Sequence, residues 1–216
     1  MPQLDVPVIY QDDDKTCLLY GVKMMLSYYD AVPDDIDDLL STDTDHVGTY
    51  FPQVGAWLEQ RGYNTTITTA HPELFTRSAA DKADDDLEAL IRAKEPRSEQ
   101  EEKVLSYFDD YFNAGGRVNY SIPSIDTVKE HVDAERPVGA CATTWFHDDI
   151  GTGMNYHFIV ATGYDENYVY VNDPNPDHTD NGRTRYTHDE FLYAVHTTVP
   201  GDFDNGALFT VTPPAS

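Results

Sequence analysis

The stretch YHFIVATGYDENYVYVNDP, residues 156–174, constrains the fold more than any other part of the chain. Two runs rich in β-branched and aromatic residues flank Asp165, Glu166 and Asn167, which have the composition of a tight turn. That pattern is a β-hairpin. Pairing Tyr164 with Tyr168 across the turn sets Asp173 opposite Ile159, two residues from His157. Residues two apart on a strand share a face, so the carboxylate becomes the diagonal neighbour of the imidazole. An Asp beside a His fixes the tautomer of the ring and stabilises its imidazolium, the orienting role in a nucleophile–base–orienter triad. Taken alone, the pair is also what a packed strand histidine and a turn-opening Asp-Pro would look like.

Upstream, QDDDKTCLLYGVKMMLSYYD carries apolar residues at helical spacing: Cys17, Tyr20, Met24 and Tyr28. The spacing predicts a helix over about Lys15–Asp30 with Asp14 as its N-cap. A thiol at a helix start is favoured as the thiolate by the helix amides, while the neighbouring Asp12, Asp13 and Asp14 oppose that charge. Further helices are predicted at about 34–40 and 51–60, followed by a strand in RGYNTTITTA. The charged segment from about 77 to 116 reads as an inserted pair of helices broken near Pro96. SIDTVKEHVDAERPV predicts an amphipathic helix leading into the strand VGACATTW. After the hairpin, RTRYTHDEFLYAV predicts a strand and a helix, and GALFTVTP a last strand. Helices first and an antiparallel sheet after them imply an α+β fold, and 216 residues suit one domain (1–216) carrying that insertion.

Charge narrows the partners. Against 39 acidic residues stand 14 basic ones, a formal net charge of -25. Such a surface repels nucleic acid and anionic membranes, so neither is expected as a partner. It has the character of a salt-adapted surface, as in proteins of halophilic archaea. With no signal peptide and no apolar run near 18 residues, the expected place is the cytoplasm, and Cys17 and Cys141 are expected as free thiols. Metal sites are not expected. His147, Asp148 and Asp149 are more simply an acidic loop. DPNPDHTDNG alternates oxygen ligands but lacks the glycine of a calcium loop at its sixth position. Cys141, in a strand of small residues, reads as a packed side chain.

Gln11 stands six positions before Cys17. Its amide could donate to an oxyanion together with the Cys17 backbone N–H. In chain order, Gln11, Cys17, His157 and Asp173 resemble the papain-like cysteine peptidases. The nearer resemblance is to the bacteriocin-processing, double-glycine-leader peptidases and their standalone relatives. CLLYGVKMMLSYY is similar to the helix that opens on the cysteine in that branch, RPVGACATTW to the strand before its histidine, and the hairpin to its His-to-Asp segment. Thr16 and Leu18 stand where the family usually has Asp and Gly. The likeness covers roughly residues 5–65 and 120–195.

The resemblance implies a papain-like fold with N-terminal helices packed on a C-terminal sheet. It also implies Cys17 as nucleophile, His157 as general base, Asp173 as orienter and Gln11 as oxyanion donor, with no cofactor. The expected activity is hydrolysis of a peptide or amide bond through an acyl-enzyme. Transfer of that acyl group to an amine, or peptide binding without turnover, are the alternatives.

Overall fold

The structure, a computed structural model, describes residues 2–13, 15–41, 49–143, 156–179, 181–198 and 203–214. Seven strands form one sheet: β1 (Asn64–Thr69), β2 (Arg117–Tyr120), β3 (Val138–Thr143), β4 (Tyr156–Tyr164), β5 (Tyr168–Asn172), β6 (Arg183–Thr187) and β7 (Ala207–Thr212). Their order across the sheet is β2-β1-β7-β3-β4-β5-β6. The pairings are antiparallel except β1 with β2, which is parallel. The α+β class is as expected, but the sheet is mixed, and it recruits β1 and β2 from the first two-thirds of the chain. β2 was not foreseen from the sequence.

Alternate residues of the central strands point into two different cores. Phe158 and Val160 of β4 join Cys141 of β3 in the larger one. Ile159 and Ala161 join Val138, Ala140 and Ala142 in the smaller one. A strand buried on both faces needs a continuous apolar run, which is why HFIVA and VGACA lack strict alternation. The larger core is covered by α1 (Cys17–Ser27), α2 (Phe51–Glu59), α3 (Asp84–Arg92) and α4 (Glu99–Ala114). The smaller core is covered by α5 (Ile125–Asp133) and α6 (His188–His196). The segment predicted as a helix at 34–40 is instead a short 3₁₀ turn, Ile36–Ser41.

Local rules explain most helix ends, and a long-range contact supplies one more. Ser98 caps α4 by accepting from Glu101 N–H, and Gly115, at φ 106°, ends it in the left-handed region. Thr187 and Glu190 form a capping box on α6. α2 has no such local side chain, and the buried Asp204 takes the Phe51 N–H at 2.8 Å from 153 residues away. The segment 77–116 is helical, but it is not an excursion from the core. Leu87, Ile91, Val104, Phe108 and Tyr111 all lie in the larger core. The Tyr111 ring lies over Gly55 and Gly116, and its hydroxyl donates to the Arg117 carbonyl at 2.9 Å.

The cations sit within a large excess of carboxylates. Arg61 stacks on Trp57 and bonds Asp35 at 2.7 Å, while Arg92 bonds both Glu88 and Asp109. With a formal charge of -25, the fold repels itself at low salt. The Debye length falls from about 10 Å at 0.1 M to about 3 Å at 1 M. The melting temperature should therefore be higher in molar KCl than at about 0.1 M. A flat or falling value would count against a salt-adapted surface.

Candidate active site

The hairpin register decides whether His157 and Asp173 can meet. At the turn Tyr164 pairs with Val169, one residue away from the expected partner Tyr168. Continued unbroken, that register would turn Asp173 to the other face, because a one-residue slip flips every side chain. A bulge between Ala161 and Gly163 absorbs the slip, and Val160 then pairs with Asn172. Asp173 thus follows on opposite Ile159, as the simpler register had placed it. The carbonyl of Thr162 in the bulge accepts from Leu4 N–H at 2.7 Å, which docks the N-terminal arm.

His157 is buried near the start of β4, and its Nε2 lies 2.5 Å from Asp173 Oδ1. Cys17, partly exposed, reaches the same end of β4 from the first residue of α1. Burial pushes the Cys17 thiol up. Hydrogen bonding and charge from His157, with the backbone amides of Phe158 and Leu18, outweigh that and hold it below its ordinary value. Burial also works against a charged His157, but Asp173 and Cys17 raise it to about 10. The Asp173 carboxyl, buried and so pushed up, is nevertheless held well below the usual carboxylate range by His157 and His178. The three groups favour a thiolate–imidazolium pair backed by a carboxylate.

The start of α1 differs from the sequence expectation in a way that favours the thiolate. The helix begins at Cys17, two residues late, and Thr16 occupies the cap position without a side-chain cap. Its first turn carries no acidic residue. Asp13 is spent on the preceding turn: its Oδ1 accepts Lys15 N–H, and its carbonyl accepts from Thr16 and Gln11. Asp14, expected as the cap, lies outside the described residues. The first amides of a helix have no intrahelical acceptor, and here Leu18 N–H supports the sulfur instead. The Leu18 side chain, 4% exposed, is packed in the larger core.

Gln11 is tied to the same place through its backbone N–H, which donates to the Pro174 carbonyl at 2.8 Å. Its side chain is buried, with Nε2 donating to the Asp13 carbonyl at 3.1 Å and Oε1 without a partner. Cys141 is buried in β3 across from Phe158. His147, Asp148 and Asp149 lie outside the described residues.

Sequence reasoning missed His178. Its Nδ1 lies 3.0 Å from Asp173 Oδ2, and its ring meets that of His157 at 4.7 Å between centroids. The signal available was a histidine five residues after the aspartate in a glycine-closed loop. Gly182 closes that loop at φ +67°, where a Cβ would fall 2.2 Å from Val8 Cγ1, and its carbonyl accepts Asp173 N–H at 2.8 Å. His157, Asp173 and His178 also have the composition of a metal site. Ligands around a tetrahedral metal at about 2.0–2.1 Å stand roughly 3.3 Å apart. The 2.5 Å contact of His157 with Asp173 is instead the spacing of two atoms sharing a proton.

Residues 3–197 match the model of the peptidase C39-like family, and the chain belongs to that family. The double-glycine-motif protease of an AMS/PCAT transporter, solved with its leader peptide, is similar at a TM-score of 0.50 and 15% identity. That match covers 98% of this chain and 94% of that one. The peptidase domain of Streptococcus ComA, a bifunctional ABC transporter of a quorum-sensing pathway, is similar at a TM-score of 0.54 and 13% identity. There the cover is 96% of this chain and 98% of that one. At such identities the likeness is one of fold, the papain-like α+β arrangement. No curated protein matches the chain. Among the described residues, no helix is long and apolar enough to cross a membrane.

Proposed function

We propose that the protein is a thiol-dependent hydrolase of peptide or amide bonds. The observation that carries this reading is the continuous contact from Cys17 through His157 to Asp173. The Cys17 thiolate attacks the scissile carbonyl, forming the C–S bond as the carbonyl electrons move onto oxygen. The Gln11 amide and the Cys17 backbone N–H hold that oxyanion. His157 gives its proton to the leaving amine as the C–N bond breaks, then takes one from the water that hydrolyses the thioester. Asp173 keeps the ring in the tautomer that leaves Nδ1 for the sulfur.

A peptide substrate is supported by the family, and by the leader peptide bound to the double-glycine-motif protease. Cys17 carries a free thiol, which supports action in the reducing cytoplasm. The experiment is labelling in molar KCl with a peptidyl acyloxymethyl ketone, followed by mapping of the labelled peptide. Label on Cys17, and none on the Cys17→Ala variant, is expected. Label confined to Cys141, or no label at all, would overturn the assignment. Adding glycine methyl ester to a turnover assay separates hydrolysis from acyl transfer by whether free acid or the amide accumulates.

A further inference from the structure

We propose that His178 is a positioning residue for this site, holding the Asp173 carboxylate in the plane that serves His157. The inference rests on the hydrolase reading and goes beyond it, since His178 lies outside the Cys–His–Asp set. An Asp carboxylate turns easily about its last torsion, so one hydrogen bond at one oxygen does not fix its plane. Here both oxygens are held. Oδ1 takes His157 Nε2 at 2.5 Å and the Asn175 N–H at 2.8 Å, and Oδ2 takes His178 Nδ1 at 3.0 Å.

The surrounding loop determines which nitrogen of His178 carries the proton. Asn175 Oδ1 accepts Asp177 N–H at 2.9 Å, so the other end of that amide, Nδ2, is the one facing His178. An amide NH₂ only donates, and it lies 3.1 Å from His178 Nε2. Nε2 is therefore the acceptor, the proton is on Nδ1, and Nδ1–H donates to Asp173. Among the described residues, the charged and titratable groups around the carboxylate include His157 from β4, His178 from its own loop, and Tyr186 of β6, which feels the Asp173 charge. Among the described residues, those around His157 include Cys17, Asp173 and His178.

A histidine that merely stabilised the loop would change the melting temperature and leave the ionisation of His157 alone. A positioning residue moves that ionisation. The probe is iodoacetate, an anion whose reaction with a thiolate is helped by a neighbouring imidazolium. Its rate at Cys17, mapped by peptide and followed against pH in molar KCl, falls as His157 loses its proton. In His178→Phe the ring remains but the donor is gone. The alkaline fall should move down by about one pH unit, a tenfold change in the imidazolium-to-imidazole ratio. His178→Asn places an amide Nδ2 where Nδ1 stood and should restore most of the shift.

A His178→Phe profile that superimposes on the wild type, whatever its melting temperature, overturns the proposal. So does an upward shift, which an Asp173 freed of a donor but still in place would produce. Should His178→Phe fail to fold, Asn175→Ala decides: it releases the tautomer of His178, and an unmoved profile overturns the proposal equally. A wild-type profile with no alkaline fall would overturn the ion pair itself, and this inference with it. A wild-type fall that no variant moves leaves the hydrolase reading standing and removes only His178.

Discussion

Replacing His157 with Ala is expected to slow alkylation of Cys17 by iodoacetamide severalfold at pH 6, with Cys141 unchanged. The size follows from two opposing effects. A free thiol of pKa about 8.5 is well under one per cent ionised at pH 6. In the wild type, His157 and the backbone amides of Phe158 and Leu18 hold the thiol below its ordinary value, so a larger share of it is thiolate there. A thiolate of lower pKa is a weaker nucleophile, with a Brønsted slope of about 0.4–0.5, which takes back up to about half of that gain on a logarithmic scale. The net effect is a slower reaction in the variant. Peptide hydrolysis should fall further, by roughly 10²–10⁴, because the same substitution removes the proton donor for the leaving amine. The working range follows from the directions of the shifts. His157 is raised to about 10 and Cys17 is lowered, so the pair persists through neutrality and decays as pH rises through about 10. Equal alkylation rates in wild type and variant at pH 6 would remove the ion pair from the account.

Gly21→Ala should destabilise the protein by about 3 kcal/mol, a fall in melting temperature of roughly 6–12 °C at this chain length. Helix propensity alone predicts the opposite sign, since Ala exceeds Gly by about 1 kcal/mol in a helix interior. Packing decides. A Cβ on Gly21 would fall 2.1 Å from Cδ1 of Phe158. The ring is hemmed in at its tip as well: Gly139 approaches so closely that a Cβ there would lie 2.2 Å from Cζ. Phe51 meets it edge-on at 5.8 Å between centroids. Phe158 follows His157 directly, and its backbone N–H supports the Cys17 sulfur, so the strain is passed to the site. Thermal melts in molar KCl, with Cys17 alkylation measured alongside, check both parts. A melting temperature equal to or above that of the wild type would show that α1 and β4 have slack between them.

Much of this architecture was legible because the apolar pattern has the right period. The helix opening near Cys17, the paired helices on either side of Pro96 and the hairpin at 156–172 follow from spacing and turn composition, all local properties. β2 was not legible. RVNY is four residues long at the edge of the sheet, half exposed, and is a strand only because β1 lies beside it. Nor was the Asp204 cap on α2, whose two partners are 153 residues apart.

The site divides along the same line. The sequence by itself determined that a thiol opens a helix and that His157 and Asp173 lie near each other on one hairpin, because strand alternation and a short turn leave little freedom. Tertiary structure decided whether those two face each other. The turn register is off by one, and only the bulge, its carbonyl held by Leu4, restores the pairing. It also decided that Leu18 packs in the core and that Asp13 is folded into a turn ahead of the helix. The second histidine on Asp173 came from there too. The direction of the His178 ring depends on how its loop closes at Gly182 against Val8, a contact between residues 174 positions apart that no local pattern encodes.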